Sequence, residues 1–110
     1  MSIQVVVNQP GPLPIEVTFN AVANTIMYLE VNGSIWSSEP NLMVGIGVDL
    51  DGRTIGAARI FANPVNTHMA VVTAYIPVAL SFGQHTLYLY RYNGETMSDQ
   101  HDFFTAVIHY

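Results

Sequence analysis

Two strand-like runs, Leu42 to Leu50 and Arg53 to Phe61, meet at Asp51-Gly52. Asp-Gly between such runs is the strongest short-range signal for a two-residue β-hairpin, because a type I′ turn needs positive φ at both central positions. Similar punctuation recurs along the chain. Ile3 to Val7 is short and β-branched, and Pro10, Gly11, Pro12 and Pro14 follow as a stiff loop. Ile15 to Phe19 alternates, with Ile15, Val17 and Phe19 on one face. In Ile26 to Val31 the inward residues are Met27, Leu29 and Val31. Asn32-Gly33 reads as a turn. Met69 to Ile76 is a further strand, which Pro77 ends or places at a sheet edge. Phe82-Gly83 turns the chain into His85 to Tyr92, Asn93-Gly94 is a second hairpin signal, and Phe103 to Tyr110 is the last strand. Only Asn20 to Asn24 has room for a helical turn. About eight short strands with regular turn signals predict an all-β fold: an antiparallel two-sheet β-sandwich, a jelly roll, with an Ig-like sandwich as the alternative. At 110 residues the chain is expected to form a single domain over residues 1–110.

Charge narrows the function classes. There is no Lys, and Arg53, Arg59 and Arg91 face eight acidic residues, for a net charge of −5. Without a basic stripe, nucleic-acid binding is not expected, and docking to anionic membranes is disfavoured. The apolar stretches are strand-sized, so no membrane-inserting helix is expected, and the first residues lack a signal-peptide pattern. That leaves the compartment open. With no Cys, thiol chemistry and disulfides are excluded.

The inferred hairpin register places Val48 opposite Ile55 and Gly47 opposite Gly56. The small residues Gly45, Gly47, Gly56 and Ala58 then share one face, as a close backbone approach or a shallow groove. Tyr88, Tyr90 and Tyr92 line one face of their strand, which suits a subunit interface or a sugar-stacking platform. Trp36 reads as a core anchor or, alternatively, a loop-borne sugar platform.

The polar run Asp99-Gln100-His101-Asp102 is the best ligand-like cluster, able to hold sugar hydroxyls or a hard cation, with a solvated surface loop as the plainer reading. The candidate ligand-binding residues are therefore Trp36, Asp99, His101 and Asp102. His68, His85, His101 and His109 show no metal-ligand spacing, so neither a metal site nor a cofactor is expected. No serine sits in a nucleophile elbow and no carboxylate pair stands out, so no catalytic residue is assigned and the chain is not expected to be an enzyme.

The later part of the chain resembles the jelly-roll domains of the tumour necrosis factor-like superfamily, which includes complement-type heads, some phage fibre tips and lectin-like modules. The resemblance rests on Val48-Asp49-Leu50-Asp51-Gly52, on Asn66-Thr67-His68 ahead of a strand, on Phe82-Gly83-Gln84-His85-Thr86-Leu87, and on the aromatic last strand. It implies a homotrimer that recognises glycans or a protein receptor. The last strand is apolar on both faces, which asks for a cover on each. The expected contact residues are Tyr88, Tyr90, Tyr92, Phe104, Ile108 and Tyr110. The expected function is a non-catalytic oligomeric recognition module. The alternatives are a structural component of a viral or phage-like assembly and a small enzyme using the 99–102 loop.

Overall fold

The computed structural model describes residues 2–110. Ten strands form an antiparallel β-sandwich: β1 (Ile3–Pro10), β2 (Ile15–Ala21), β3 (Thr25–Ser37), β4 (Leu42–Leu50), β5 (Arg53–Ala62), β6 (Met69–Ala70), β7 (Ala74–Leu80), β8 (Gly83–Arg91), β9 (Thr96–Met97) and β10 (Phe103–His109). One sheet runs β1-β10-β3-β7, with β6 and β9 pairing with the later part of β3. The other runs β2-β8-β4-β5. The eight longer strands thus form two four-stranded sheets, with the chain crossing repeatedly between them. This is jelly-roll rather than Ig-like connectivity.

The core lies between the sheets and follows the strand alternation. Leu29, Val31, Val44, Ile46, Val48, Leu87 and Leu89 all point inward and are buried. Each such side chain contributes about 1.5–3 kcal/mol of apolar transfer free energy. Ser2 and Tyr110 exchange two backbone hydrogen bonds, of 2.7 and 3.0 Å. The strand directions put this pair at the same end as the β2–β3, β4–β5 and β7–β8 turns. The longer β5–β6 and β9–β10 loops gather at the opposite end.

Asp51 (φ 52°) and Gly52 (φ 81°) form the expected hairpin turn. Its register departs from expectation beyond the first two pairs. A bulge leaves Ile55 unpaired, so Val48 faces Gly56 and Gly47 faces Ala57. The extra residue turns Gly56 to the inner face, where a Cβ would lie 2.9 Å from the Ile76 side chain. Three other expectations also change. β3 runs straight through Asn32-Gly33, because Gly33 admits the Phe104 ring and a Cβ there would sit 2.5 Å from it. Asn93-Gly94 does not join two paired strands; the Asn93 side chain caps Thr96 instead, and β9 pairs with β3. Met69 to Ile76 divides into β6 and β7, with Pro77 inside β7 at the sheet edge. Among the described residues no helix forms, and β2 continues to Ala21 where a helical turn had room.

Candidate functional site

At the loop end, Asp102 stands just before β10. Alternation with the buried Phe104 makes it an inward position, and its side chain is wholly buried. An inward carboxylate must be paired and hydrogen-bonded. Its oxygens accept from Ser34 Oγ on β3 (2.7 Å), the Asp99 backbone N–H (2.9 Å) and His68 Nδ1 (2.6 Å). One side chain thus ties together β3, the β5–β6 loop and the β9–β10 loop. The hydrogen bond to Asp102 raises the His68 pKa above its ordinary value; desolvation opposes it, and the Asp102 and Asp99 charges reinforce it. His68 Nε2 faces Asp99 Oδ2 at 3.8 Å.

Of the residues expected to bind ligand, the structure brings Trp36, Asp99 and Asp102 together around His68. The Trp36 ring centroid is 6.2 Å from that of His68. Its indole N–H is buried and has no partner among the described residues, while the side chain as a whole is half-buried. His101 lies outside the cluster: it is exposed, and its backbone N–H donates to Asp99 Oδ1. The 99–102 loop is therefore not a purely solvated turn, because Asp102 belongs to the interior. Sequence reasoning placed no supporting ligand near this loop, and His68 is that residue. The available signal was Asp102 itself, an acid at an inward position that required a distant partner.

The outer face of β2-β8-β4-β5 carries the tyrosine row. Tyr90 lies over Gly47, whose added Cβ would fall within 2.9 Å of the ring. Tyr88 packs beside Tyr90, with centroids 5.6 Å apart and planes inclined by 22°. The Arg59 guanidinium stands 5.5 Å from the Tyr92 ring centroid and donates to the Tyr92 hydroxyl at 3.1 Å. Thr54 donates to Asp49 and lies 3.5 Å from the Tyr90 hydroxyl. Thr54, Arg59, Tyr90 and Tyr92 bound a shallow depression of about 310 Å³ with Gly47 and Ala57 in its floor. Rings with polar tips around a floor without bulky side chains offer flat apolar contact and hydrogen bonds within one small area.

The outer face of β1-β10-β3-β7 is different. Ile3, Val5, Ile26, Tyr28, Tyr75 and Phe103 are all exposed on it. At its centre His109 Nε2 is hydrogen-bonded to Glu30 Oε1 at 2.7 Å. Two expected contact residues are corrected here. Phe104 (0% exposed) and Ile108 (1%) point into the chain's own core, where the opposite sheet already covers them. Phe103 and Val107 occupy the outer face of β10 instead, and Tyr110 is exposed beyond its end. Tyr88, Tyr90 and Tyr92 lie on the other side of the sandwich, so they and β10 cannot share one flat contact.

A third histidine–carboxylate pair locks the hairpin end. His85 Nδ1 meets Asp51 Oδ2 at 2.6 Å, and its Nε2 meets the Ser81 carbonyl at 2.7 Å. Two acceptors require both ring nitrogens to donate, which is the imidazolium form. The Asp51 bond, followed by the Ser81 bond, raises the His85 pKa. For Asp51, desolvation acts upward, but hydrogen bonds from His85 and Thr86 and the His85 charge outweigh it and hold the carboxyl below its ordinary value.

No protein-family model and no curated protein matches the sequence. Solved structures with a similar outline include a family 36 carbohydrate-binding module in complex with calcium and xylotriose, at 14% identity and TM-score 0.46, covering 98% of each chain. Another is a family 35 carbohydrate-binding module from Clostridium thermocellum, at 14% identity and TM-score 0.45, covering 100% of this chain and 99% of that one. A third comes from infectious bursal virus derived T=1 particles, at 20% identity and TM-score 0.42, covering 99% of this chain and 29% of that one. Likeness at this level carries no argument about function. The jelly-roll connectivity itself is common to many families, and does not single out the tumour necrosis factor-like one.

Proposed function

We propose that this chain is a non-catalytic recognition module that binds a saccharide on the outer face of β2-β8-β4-β5 and self-associates through the opposite face. The observation that carries the reading is Tyr90 lying across Gly47, with the Tyr92–Arg59 pair at the rim. A pyranose ring has a flat C–H face and an edge of hydroxyls. The ring face of Tyr90 suits the first, and the Arg59 and Thr54 groups suit the second. No nucleophile, base and oxyanion site converge there, so retention rather than turnover is the expected outcome. The test is a glycan array followed by titration calorimetry. Tyr90→Ala and Arg59→Ala should each weaken a specific saccharide by at least tenfold while leaving the melting temperature nearly unchanged. An array without a saccharide preference, or binding untouched by both changes, would overturn the reading.

For self-association the occupant is a second copy of this chain. The support is the charge pattern of the β1-β10-β3-β7 face. Glu30 is the one acidic residue on the strands of that sheet and is hydrogen-bonded to His109, and all three arginines lie on strands of the other sheet, so like faces meet with little like-charge repulsion. A trimer is the assembly we favour, in line with the resemblance noted in the sequence. Sedimentation should give a mass above one chain. Val107→Asp, which places an unpaired charge on that face, should return it to the monomer. A monomeric wild-type chain at micromolar concentration would defeat this half of the proposal and leave the saccharide half standing.

A further inference from the structure

We infer that the loop end holds a divalent cation of the zinc class between His68 Nε2 and Asp99, with the buried Asp102 orienting the imidazole. His68, Asp99 and Asp102 each offer a ligand atom within 4.8 Å of the others. The three do not have the same role. Asp102 is wholly buried, and its oxygens are taken by Ser34, the Asp99 N–H and His68 Nδ1. It therefore fixes the ring and leaves Nε2 pointing towards the part-exposed Asp99 carboxylate. A carboxylate on one imidazole nitrogen and a metal on the other is the usual way that metal-binding histidines are held.

The second distance points the same way. His68 Nε2 and Asp99 Oδ2 are 3.8 Å apart, beyond hydrogen-bond reach yet close enough to share an ion. A tetrahedral centre with bonds of roughly 2.0–2.2 Å brings two donors to about 3.3–3.5 Å, which a small movement of the part-exposed carboxylate supplies. The staple that joins the three segments uses only Nδ1, so Nε2, which faces the Asp99 carboxylate across 3.8 Å, can exchange its proton for a metal ion without loosening it. Ligand type selects the ion. One imidazole nitrogen and one carboxylate suit Zn²⁺ and its neighbours, whereas Ca²⁺ asks for six to eight oxygens, which this cluster cannot offer with Asp102 engaged. The remaining coordination positions face solvent. This site lies apart from the Tyr90 depression, so neither proposal depends on the other.

The experiment uses the full chain with ZnCl₂ alone and CaCl₂ as comparator, read by titration calorimetry and by melting temperature. One Zn²⁺ per chain, absent in His68→Ala and Asp99→Asn and retained in His101→Ala, is the expected result. Asp102→Asn should weaken binding by about 10–100-fold, the usual effect of removing an orienting partner. If Asp102→Asn fails to fold, the part-exposed Asp99→Asn still decides. The inference is overturned by a wild-type chain that shows neither heat nor a melting shift with Zn²⁺, by binding that survives His68→Ala, by equal affinity for Ca²⁺, or by equal loss in His101→Ala.

Discussion

The two outer faces of the sandwich are made by strands with the same inward alternation, yet they solve the problem of exposure differently. On β2-β8-β4-β5, aromatic bulk is laid down against glycine: Tyr90 covers Gly47, and its polar tip and those of its neighbours engage Thr54 and Arg59. On β1-β10-β3-β7, bulky residues stand out into solvent with little beneath or beside them to bond, Ile26 at 70% exposure and Tyr75 at 63%. The first face satisfies its own polar groups at its surface. The second has, among the described residues, one histidine–carboxylate hydrogen bond and a broad apolar remainder, which is what a contact between copies needs. Apolar content therefore says less about a face than whether its side chains find partners within it.

Adjacent residues on β10 allow the largest test of that contrast. Phe104→Ala should cost about 3–5 kcal/mol in urea unfolding, because it opens a cavity in the core. Phe103→Ala should leave the stability of the single chain within about 0.5 kcal/mol, and show itself only as weaker self-association in a dilution series. Similar losses from the two changes would mean that the outer face is already packed within one chain.

On the other face, Gly47→Val should cost about 1–3 kcal/mol, since the new side chain displaces the Tyr90 ring. It should also abolish saccharide binding. Full binding in a folded Gly47→Val protein would separate the depression from function.

A gentler probe is pH. A raised histidine pKa contributes stability that is complete below the ordinary value of 6.5 and is lost as pH rises through the folded value. A lowered carboxyl pKa contributes stability that is complete above 3.8 and is lost as pH falls through the folded value. The His85–Asp51 pair therefore stabilises most between these limits. The melting temperature should fall as pH rises from mildly acidic to alkaline, and Asp51→Asn should flatten most of that slope, leaving the part that belongs to His68. An unchanged slope would remove the pair from the account. The smallest effect is expected of His101→Ala, within about 0.5 kcal/mol by urea unfolding, because its ring stands outside the cluster.

Much of the fold was legible because alternation and turn chemistry are local. Asp51-Gly52 dictated its hairpin, and Leu87, Leu89 and the β3 residues Met27, Leu29 and Val31 all faced inward as their spacing required. What escaped was non-local. The bulge at Ile55 shifts the register by one, and no dipeptide announces it. Gly33 carries the same letters as a turn but answers to Phe104, far along the chain. The candidate site was half legible for the same reason. Asp99 and Asp102 stood out by polarity, while His68 joins them only through the packing of the β5–β6 loop beside β3. The choice of Phe104 over Phe103 for an outer contact was an error of facing: a strand apolar on both sides does not say which side its own second sheet will cover.

The pairing of Ile3 with His109 has a kinetic consequence. Neither β1 nor β3 can complete its ladder until β10 is available, so β1 has no partner and one edge of β3 waits unpaired while the intervening chain is ordered. Closing so wide a loop before its contacts can reward it makes folding slow, on the order of milliseconds to seconds for β-sandwiches of this kind. During that interval the β-branched run in β1 is open to strands of other molecules. The bulge between Val5 and Val7 and Pro10 at the strand end both interrupt a regular edge. They would hinder mistaken pairing before the correct partner arrives.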